Sequence, residues 1–273
     1  MGTTSALCLA SMPPGLDRAT ADFFVRSLGQ LKKERIDFLV GGAYALYCHA
    51  GVERHTRDFD VFVRPCDAEA TLAALAPVCD RTELTFSHWL GKAYCGDAYV
   101  DVIFNSGNGV CEVDDEWFDH AIDSTVFGQA VRLVPVEEMI WQKAFVMERE
   151  RYDGADIAHM LRASGRRLDW ARLLRRFWPH WRVLFAHLLL YGFVYPNERD
   201  AVPEGVLRLL SEQLRREAAI APNGRRLCQG TLLSREQYLY DLEEWGYQDA
   251  RLLPPARMSA AEIAEWTAAI ATK

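Results

Sequence analysis

The chain has 273 residues, of which 50% are hydrophobic, 25% charged and 11% aromatic. That composition excludes disorder, collagen-like repeats and a coiled coil as the organising principle, and the length accommodates one large domain or two modest ones. Lys and Arg number 31 against 38 Asp and Glu, a net charge of −7, which argues against a general nucleic-acid coat while permitting a local basic patch. Seven cysteines, none two residues from the next, fit a reduced protein without a zinc ribbon or a thioredoxin motif. The opening MGTTSALCLASMPPG lacks a basic segment and is not read as a signal peptide. The longest apolar run, 183–194, is interrupted by His187 and too short to span a bilayer. A cytoplasmic location without membrane contact is therefore expected.

In chain order, Ala21, Phe24, Val25, Leu28 and Leu31 predict a helix over 17–35. Residues 36–40 read as a strand stopped by Gly41-Gly42, and 43–50 as a short helix. Residues 58–63 predict a strand with Phe59, Val61 and Val63 on one face and Asp58, Asp60 and Phe62 on the other. Asp67 is a helix cap for a segment running through Leu75. Strands are expected over 82–87 and 98–104, a loop over 105–116, and a hairpin over 126–134 turning at Gly128-Gln129. Beyond Pro135 the pattern is helical, over 136–150, 154–163, 170–177, 181–191, 203–217, 235–245 and 260–271. Ser234-x-x-Gln237 and Ser259-x-x-Glu262 are capping boxes for the last two. Strands first and helices after predict an α+β domain over 1–134 followed by a helical domain over 135–273.

The stretch 38–63, FLVGGAYALYCHAGVERHTRDFDVFV, carries the chemistry. A strand ends in two glycines, a helix begins at once, and the next strand bears Asp-x-Asp. Gly41 and Gly42 let a phosphate approach the backbone, and the helix behind them aims free N–H groups and its positive dipole end there. Asp58 and Asp60, two apart on a strand, leave from one face, as needed to hold divalent cations for in-line phosphoryl displacement. Arg57 precedes them as a phosphate contact. In the strand over 98–104, Asp101 interrupts an apolar face and so needs a partner or a metal, and it is a third carboxylate able to accept a proton from a hydroxyl.

Together these residues resemble the nucleotidyltransferase superfamily with the polymerase-β-like palm. The chain is similar to bacterial members that include abortive-infection toxins and aminoglycoside or lincosamide adenylyltransferases. The motif-bearing likeness covers roughly 36–104, with a weaker continuation through Pro135 to Leu161. The resemblance implies an α+β fold with a mixed sheet and a helical domain behind it. It implies transfer of a nucleoside monophosphate from an NTP, such as ATP, to an acceptor hydroxyl, with release of pyrophosphate. It places the triphosphate over Gly41 and Gly42 and Mg²⁺ or Mn²⁺ on Asp58 and Asp60, with Asp101 as third carboxylate. Many members carry Gly-Ser and a basic loop where Ala43 and Tyr44 follow here. Lys143 sits on an apolar helical face. It either snorkels or contacts triphosphate, the role of a similarly placed lysine in the resembling toxins.

The remaining features have plainer readings. Asp153 reads as a helix cap, and Asp156 as a partner for Lys143 or Arg151. No histidine, from His49 and His55 to His187, stands at a metal-ligand spacing. Residues 162–182 hold seven arginines against Asp169 with Trp170, Phe177, Trp178 and Trp181 interleaved, which reads as an amphipathic helix before an RNA-facing patch. Tyr238, Tyr240, Trp245 and Tyr247 read as helical core. The acceptor is a small molecule, a tRNA end or a protein hydroxyl. The rival is a non-catalytic module that uses the same cleft to sense a nucleotide, or half of a toxin–antitoxin assembly with an antitoxin partner.

Overall fold

The computed structural model of the chain describes residues 16–54, 56–222 and 224–270. Cys8, His55 and the opening fifteen residues lie outside them. Two compact units emerge, residues 16–135 with 258–268, and residues 136–257 with 269–270.

The first unit runs α1 (Arg18–Lys33), β1 (Leu39–Val40), α2 (Gly42–Ala50), β2 (Asp58–Phe62), α3 (Ala68–Leu75), β3 (Arg81–Phe86), β4 (Leu90–Cys95), β5 (Ala98–Ile103), α4 (Asp115–Asp119), β6 (Ile122–Val126) and β7 (Gln129–Leu133). The strands form one seven-stranded sheet in the order β3-β4-β5-β2-β1-β7-β6. It is mixed: β2 pairs with β5, and β1 with β7, in parallel, and the other neighbours are antiparallel. The α+β class with a mixed sheet is thus the observed one. Alternation decides what each strand buries. Phe59 and Val61 on β2 and Val100 and Val102 on β5 are sealed from solvent, while Asp58, Asp60, Tyr99 and Asp101 point the other way and are half-buried. Beneath them, Phe24, Tyr44, Phe59 and Phe127 form an aromatic cluster with ring centroids 5.1 to 6.2 Å apart.

Several boundaries differ from the pattern. β4 was not expected, because Gly91 and Ala93 leave the strand without an apolar run; a Cβ on Gly91 would sit 2.8 Å from Leu72 of α3. The β6–β7 turn falls at Phe127-Gly128 rather than Gly128-Gln129, both residues having positive φ, because the Phe127 ring is drawn into the aromatic cluster. α4 occupies the end of the expected loop, capped by the Asp114 carboxylate accepting from the Glu116 N–H. Asp67 stands at the N-cap of α3 but its side chain makes no capping bond and instead faces Arg64 at 3.8 Å.

The second unit is mostly helical: α5 (Val136–Ala144), α6 (Gly154–Ser164), α7 (Trp170–Phe177), α8 (Trp181–Val194), α9 (Glu204–Ala218) and α10 (Leu239–Glu243), with the parallel pair β8 (Leu227–Cys228) and β9 (Gln248–Asp249). α5 stops at Ala144 instead of running to residue 150. The Met147 N–H donates to Leu233 and Met147 bridges Tyr152, so the backbone there bonds outside a helix. α11 (Ala260–Ala268) belongs with the first unit, against the expectation of an unbroken helical second half, because Trp266 packs edge-on to Phe86 and Trp89. The capping box of α11 closes both ways, Glu262 N–H to Ser259 Oγ at 3.2 Å and Ser259 N–H to Glu262 Oε2 at 2.7 Å. The Ser234 box caps only a turn, since α10 begins later. Tyr240, Trp245 and Tyr247 are exposed rather than core, with Tyr240 and Trp245 packed on each other at 5.3 Å. Among the described residues no helix is long and apolar enough to cross a membrane.

Five arginines of the segment, Arg162, Arg166, Arg172, Arg176 and Arg182, make ion pairs inside their own unit. Arg172 is buried and reaches Glu137 at 2.6 Å and Glu138 at 2.7 Å, and Arg176 meets Glu138 at 3.1 Å. Arg162, Arg166 and Arg182 pair with Glu198, Asp200 and Glu217. Phe177 and Trp181 are buried. Acids on neighbouring helices therefore absorb the charge that the local sequence left unbalanced.

Lys143 is held the same way. Its Nζ lies 2.9 Å from Asp153 and 2.8 Å from Asp156, and its side chain is only 15% exposed, so it does not snorkel. Asp153 stands at the N-cap of α6 but makes no capping bond, its carboxylate being taken by Lys143 and Arg151. Burial alone would push the Asp153 carboxyl up, yet Lys143 and Arg151 outweigh it and hold it below its ordinary value. Lys143→Met is expected to cost about 2–4 kcal/mol at neutral pH by removing the cation that two buried carboxylates share, measured by chemical denaturation. A carboxyl depressed in the folded state contributes stability that is full above the unfolded value of 3.8 and is lost as the pH falls through the folded value. The difference between wild type and variant should therefore shrink below that pH; a pH-independent difference would mean the ion pair is not its source.

Candidate active site

Parallel pairing of β2 with β5 builds the site. The register sets Asp58 opposite Tyr99 and Asp60 opposite Asp101. Because the three aspartates share one face, a carboxylate oxygen from each lies within 4.8 Å of the others. Among the described residues this is the group with the donor types and spacing for a metal ion. Three hard oxygen donors, half-buried and close together, suit Mg²⁺ or Mn²⁺ rather than a thiolate-seeking metal. The field of this cluster shows in the phenols beside it. Burial first, then Asp58, Asp101 and Asp60, push the Tyr99 hydroxyl up to about 12. Burial, then Asp58 and Asp60, raise Tyr44 as well. The share of that rise due to the carboxylates, added to burial, has the sign that favours a cation beside them.

The double glycine follows β1 directly and touches Asp60. The Gly41 N–H donates to the Asp60 carbonyl at 3.0 Å. Gly42, first residue of α2, has φ +55°, and a Cβ there would fall 1.5 Å from Asp60 Oδ2. A Cβ on Gly41 would fall 2.2 Å from the Phe62 ring, which is itself stacked on Trp117. Neither position admits a side chain, so the N-terminus of α2 and the Asp60 carboxylate share one small space. Arg57 is exposed immediately before β2, and its carbonyl accepts from the Tyr99 N–H at 3.2 Å. Asp58, Asp60, Asp101, Gly41, Gly42 and Arg57 all belong to the first unit. Lys143 belongs to the second and is occupied there by its two carboxylates.

The sequence reading missed a fourth charged group on this face. β4 pairs antiparallel with β5, setting Lys92 opposite Asp101 and Tyr94 opposite Tyr99. Lys92 Nζ lies 2.6 Å from Asp101 Oδ1 and 4.0 Å from the centre of the Tyr99 ring. The signal that could have found it is Gly96-Asp97, a two-residue hairpin turn whose glycine has φ +58°, which requires a strand before β5.

No family model and no curated protein matches the chain. Among solved structures, it is similar to the antibiotic-resistance factor ANT(2'')-Ia in solution, with 18% identity over 65% of this chain and 99% of that one, at a TM-score of 0.42. It is similar to lincosamide antibiotic adenylyltransferase LnuA in its lincomycin-bound form, with 12% identity over 51% of this chain and 94% of that one, at a TM-score of 0.38. A third structure is an antigenic nucleotidyltransferase-like protein from Paracoccidioides brasiliensis, with 15% identity over 68% and 95% of the two chains, at a TM-score of 0.42.

Proposed function

We propose that the chain is a metal-dependent nucleotidyltransferase that moves a nucleoside monophosphate from an NTP to an acceptor hydroxyl. The observation that carries this reading is the convergence of Asp58, Asp60 and Asp101 on one face of a mixed sheet, with the Gly41-Gly42 helix start pressed against Asp60. Asp58, Asp60 and Asp101 would hold Mg²⁺ or Mn²⁺, which when bound neutralises phosphate charge as it develops in the transition state. The α2 N-terminus would supply N–H donors and a positive dipole end for the triphosphate beside the Asp60 carboxylate. Arg57, exposed at the mouth of β2, adds a cation for phosphate oxygens.

In the reaction the acceptor oxygen bonds to the α-phosphorus. The bond from that phosphorus to the bridging oxygen of the β-phosphate breaks, and the electron pair leaves with pyrophosphate. The hydroxyl proton passes to water or to a carboxylate of the cluster, Asp101 taking it where it does not serve as a metal ligand. The expected acceptor is a small molecule. Ion pairs made by Arg162, Arg166, Arg172, Arg176 and Arg182 inside the second unit support this choice over RNA.

The test supplies each α-labelled NTP with Mg²⁺ or Mn²⁺ to wild type and to the Asp58→Asn, Asp60→Asn double variant. Small-molecule, tRNA and protein fractions serve as acceptors. Transfer into one fraction by wild type alone is expected. Mg²⁺-dependent nucleotide binding without turnover in any fraction would instead favour the nucleotide-sensing module.

A further inference from the structure

Cross-strand register creates a row that runs through the acidic cluster: Asp60 on β2, Asp101 on β5, Lys92 on β4. The last two are the least exposed charged pair of the sheet face, with side chains 18% and 13% exposed and a contact of 2.6 Å. We infer that Lys92 is a positioning residue, holding the Asp101 carboxylate in the orientation from which it completes the metal-binding cluster. This rests on the proposed function and extends it to a residue outside the Gly-Gly and Asp-x-Asp motifs.

The argument is geometric. A lone Asp on an extended strand swings freely about two side-chain torsions, and a loose ligand holds a metal poorly. Lys92 removes that freedom from a fixed point. Its backbone is pinned by β4–β5 pairing, and its ammonium sits over the Tyr99 ring at 4.0 Å. Tyr99 is in turn packed against Tyr94 at 6.0 Å, and Arg81 lies over the Tyr94 ring at 3.9 Å. The ammonium holds Oδ1, so β4 restrains the Asp101 carboxylate from that side.

Positioning and plain electrostatics predict opposite signs. A cation beside a metal site repels the metal, so deleting the Lys92 charge would tighten binding if charge were all that mattered. If Lys92 orients Asp101, deleting it weakens binding.

The experiment reads Mn²⁺ binding to nucleotide-free protein by electron paramagnetic resonance, for wild type, Lys92→Met, Lys92→Arg, Asp101→Asn and the Lys92→Met, Asp101→Asn double variant. Lys92→Met is expected to weaken Mn²⁺ binding about 10-fold or more, as loss of a partner that orients a metal ligand does. Lys92→Arg, which keeps a cationic donor, should recover most of the loss. The double variant should bind as Asp101→Asn alone does, because Lys92 acts through Asp101. In the transfer assay, Lys92→Met should lower kcat with little change in KM for NTP, whereas a phosphate contact would raise KM. Unchanged or tighter Mn²⁺ binding by Lys92→Met overturns the inference alone. So does an equal loss in Lys92→Met and Lys92→Arg, or a double variant weaker than Asp101→Asn. Wild-type protein that binds no Mn²⁺ overturns the proposed function and this inference together.

Discussion

Asp60→Asn is expected to lower nucleotidyl transfer by about 10³-fold or more while leaving stability within about 1 kcal/mol of wild type. The side chain is half-buried on a surface where three carboxylates lie within 4.8 Å, so removing one negative charge relieves repulsion as it removes a bond. Asn fills the same volume, and the β2 backbone pairing with β1 and β5 does not depend on the side chain. The loss should therefore fall on function: a neutral amide binds a divalent cation far less well than a carboxylate. Thermal melting followed by circular dichroism, beside the transfer assay, separates the two effects. Wild-type turnover in a folded Asn variant would remove Asp60 from the mechanism.

Much of this site is legible in the sequence, because alternation in a strand is a local rule. Phe59 and Val61 against Asp58 and Asp60, or Val100 and Val102 against Asp101, already say which side chains share a face. What alternation cannot supply is register between strands distant in sequence. That β2 lies parallel to β5 with Asp60 opposite Asp101 is a property of the assembled sheet. For the same reason Lys92 stayed hidden: its strand is made of Leu90, Gly91, Ala93 and Tyr94, small where it passes α3, and gives no apolar run. The arginines of 162–182 show the converse. Their local imbalance of charge is resolved by Glu137, Glu138, Glu198, Asp200 and Glu217, which tertiary packing brings up from elsewhere in the chain. The end of α5 was illegible because its backbone partner Leu233 lies far along the chain.

The glycine pair tests whether the α2 N-terminus and Asp60 act as one unit. In the sequence, Gly42 reads as room for a phosphate; in the structure it is first of all room for Asp60. Gly42→Ala should destabilise the first unit by about 1–2 kcal/mol from backbone conformation alone, since φ at +55° suits no L side chain there. The added methyl would also fall 1.5 Å from Asp60 Oδ2, so either α2 or the carboxylate must move. A displacement of about 1 Å at a reacting centre is enough to cost about 10²-fold in rate. The variant should thus lose transfer far beyond its loss of folded protein, and its Mn²⁺ affinity should fall with it, although no ligand has been changed. Gly29→Ala is the control, with no heavy atom within 4 Å of an added Cβ and a place inside α1. It should keep activity and gain slightly in stability, as replacing a helical glycine does. A Gly42→Ala protein that is stable, binds Mn²⁺ normally and has lost only NTP binding would separate the glycine from Asp60. Its role would then be the phosphate cradle alone.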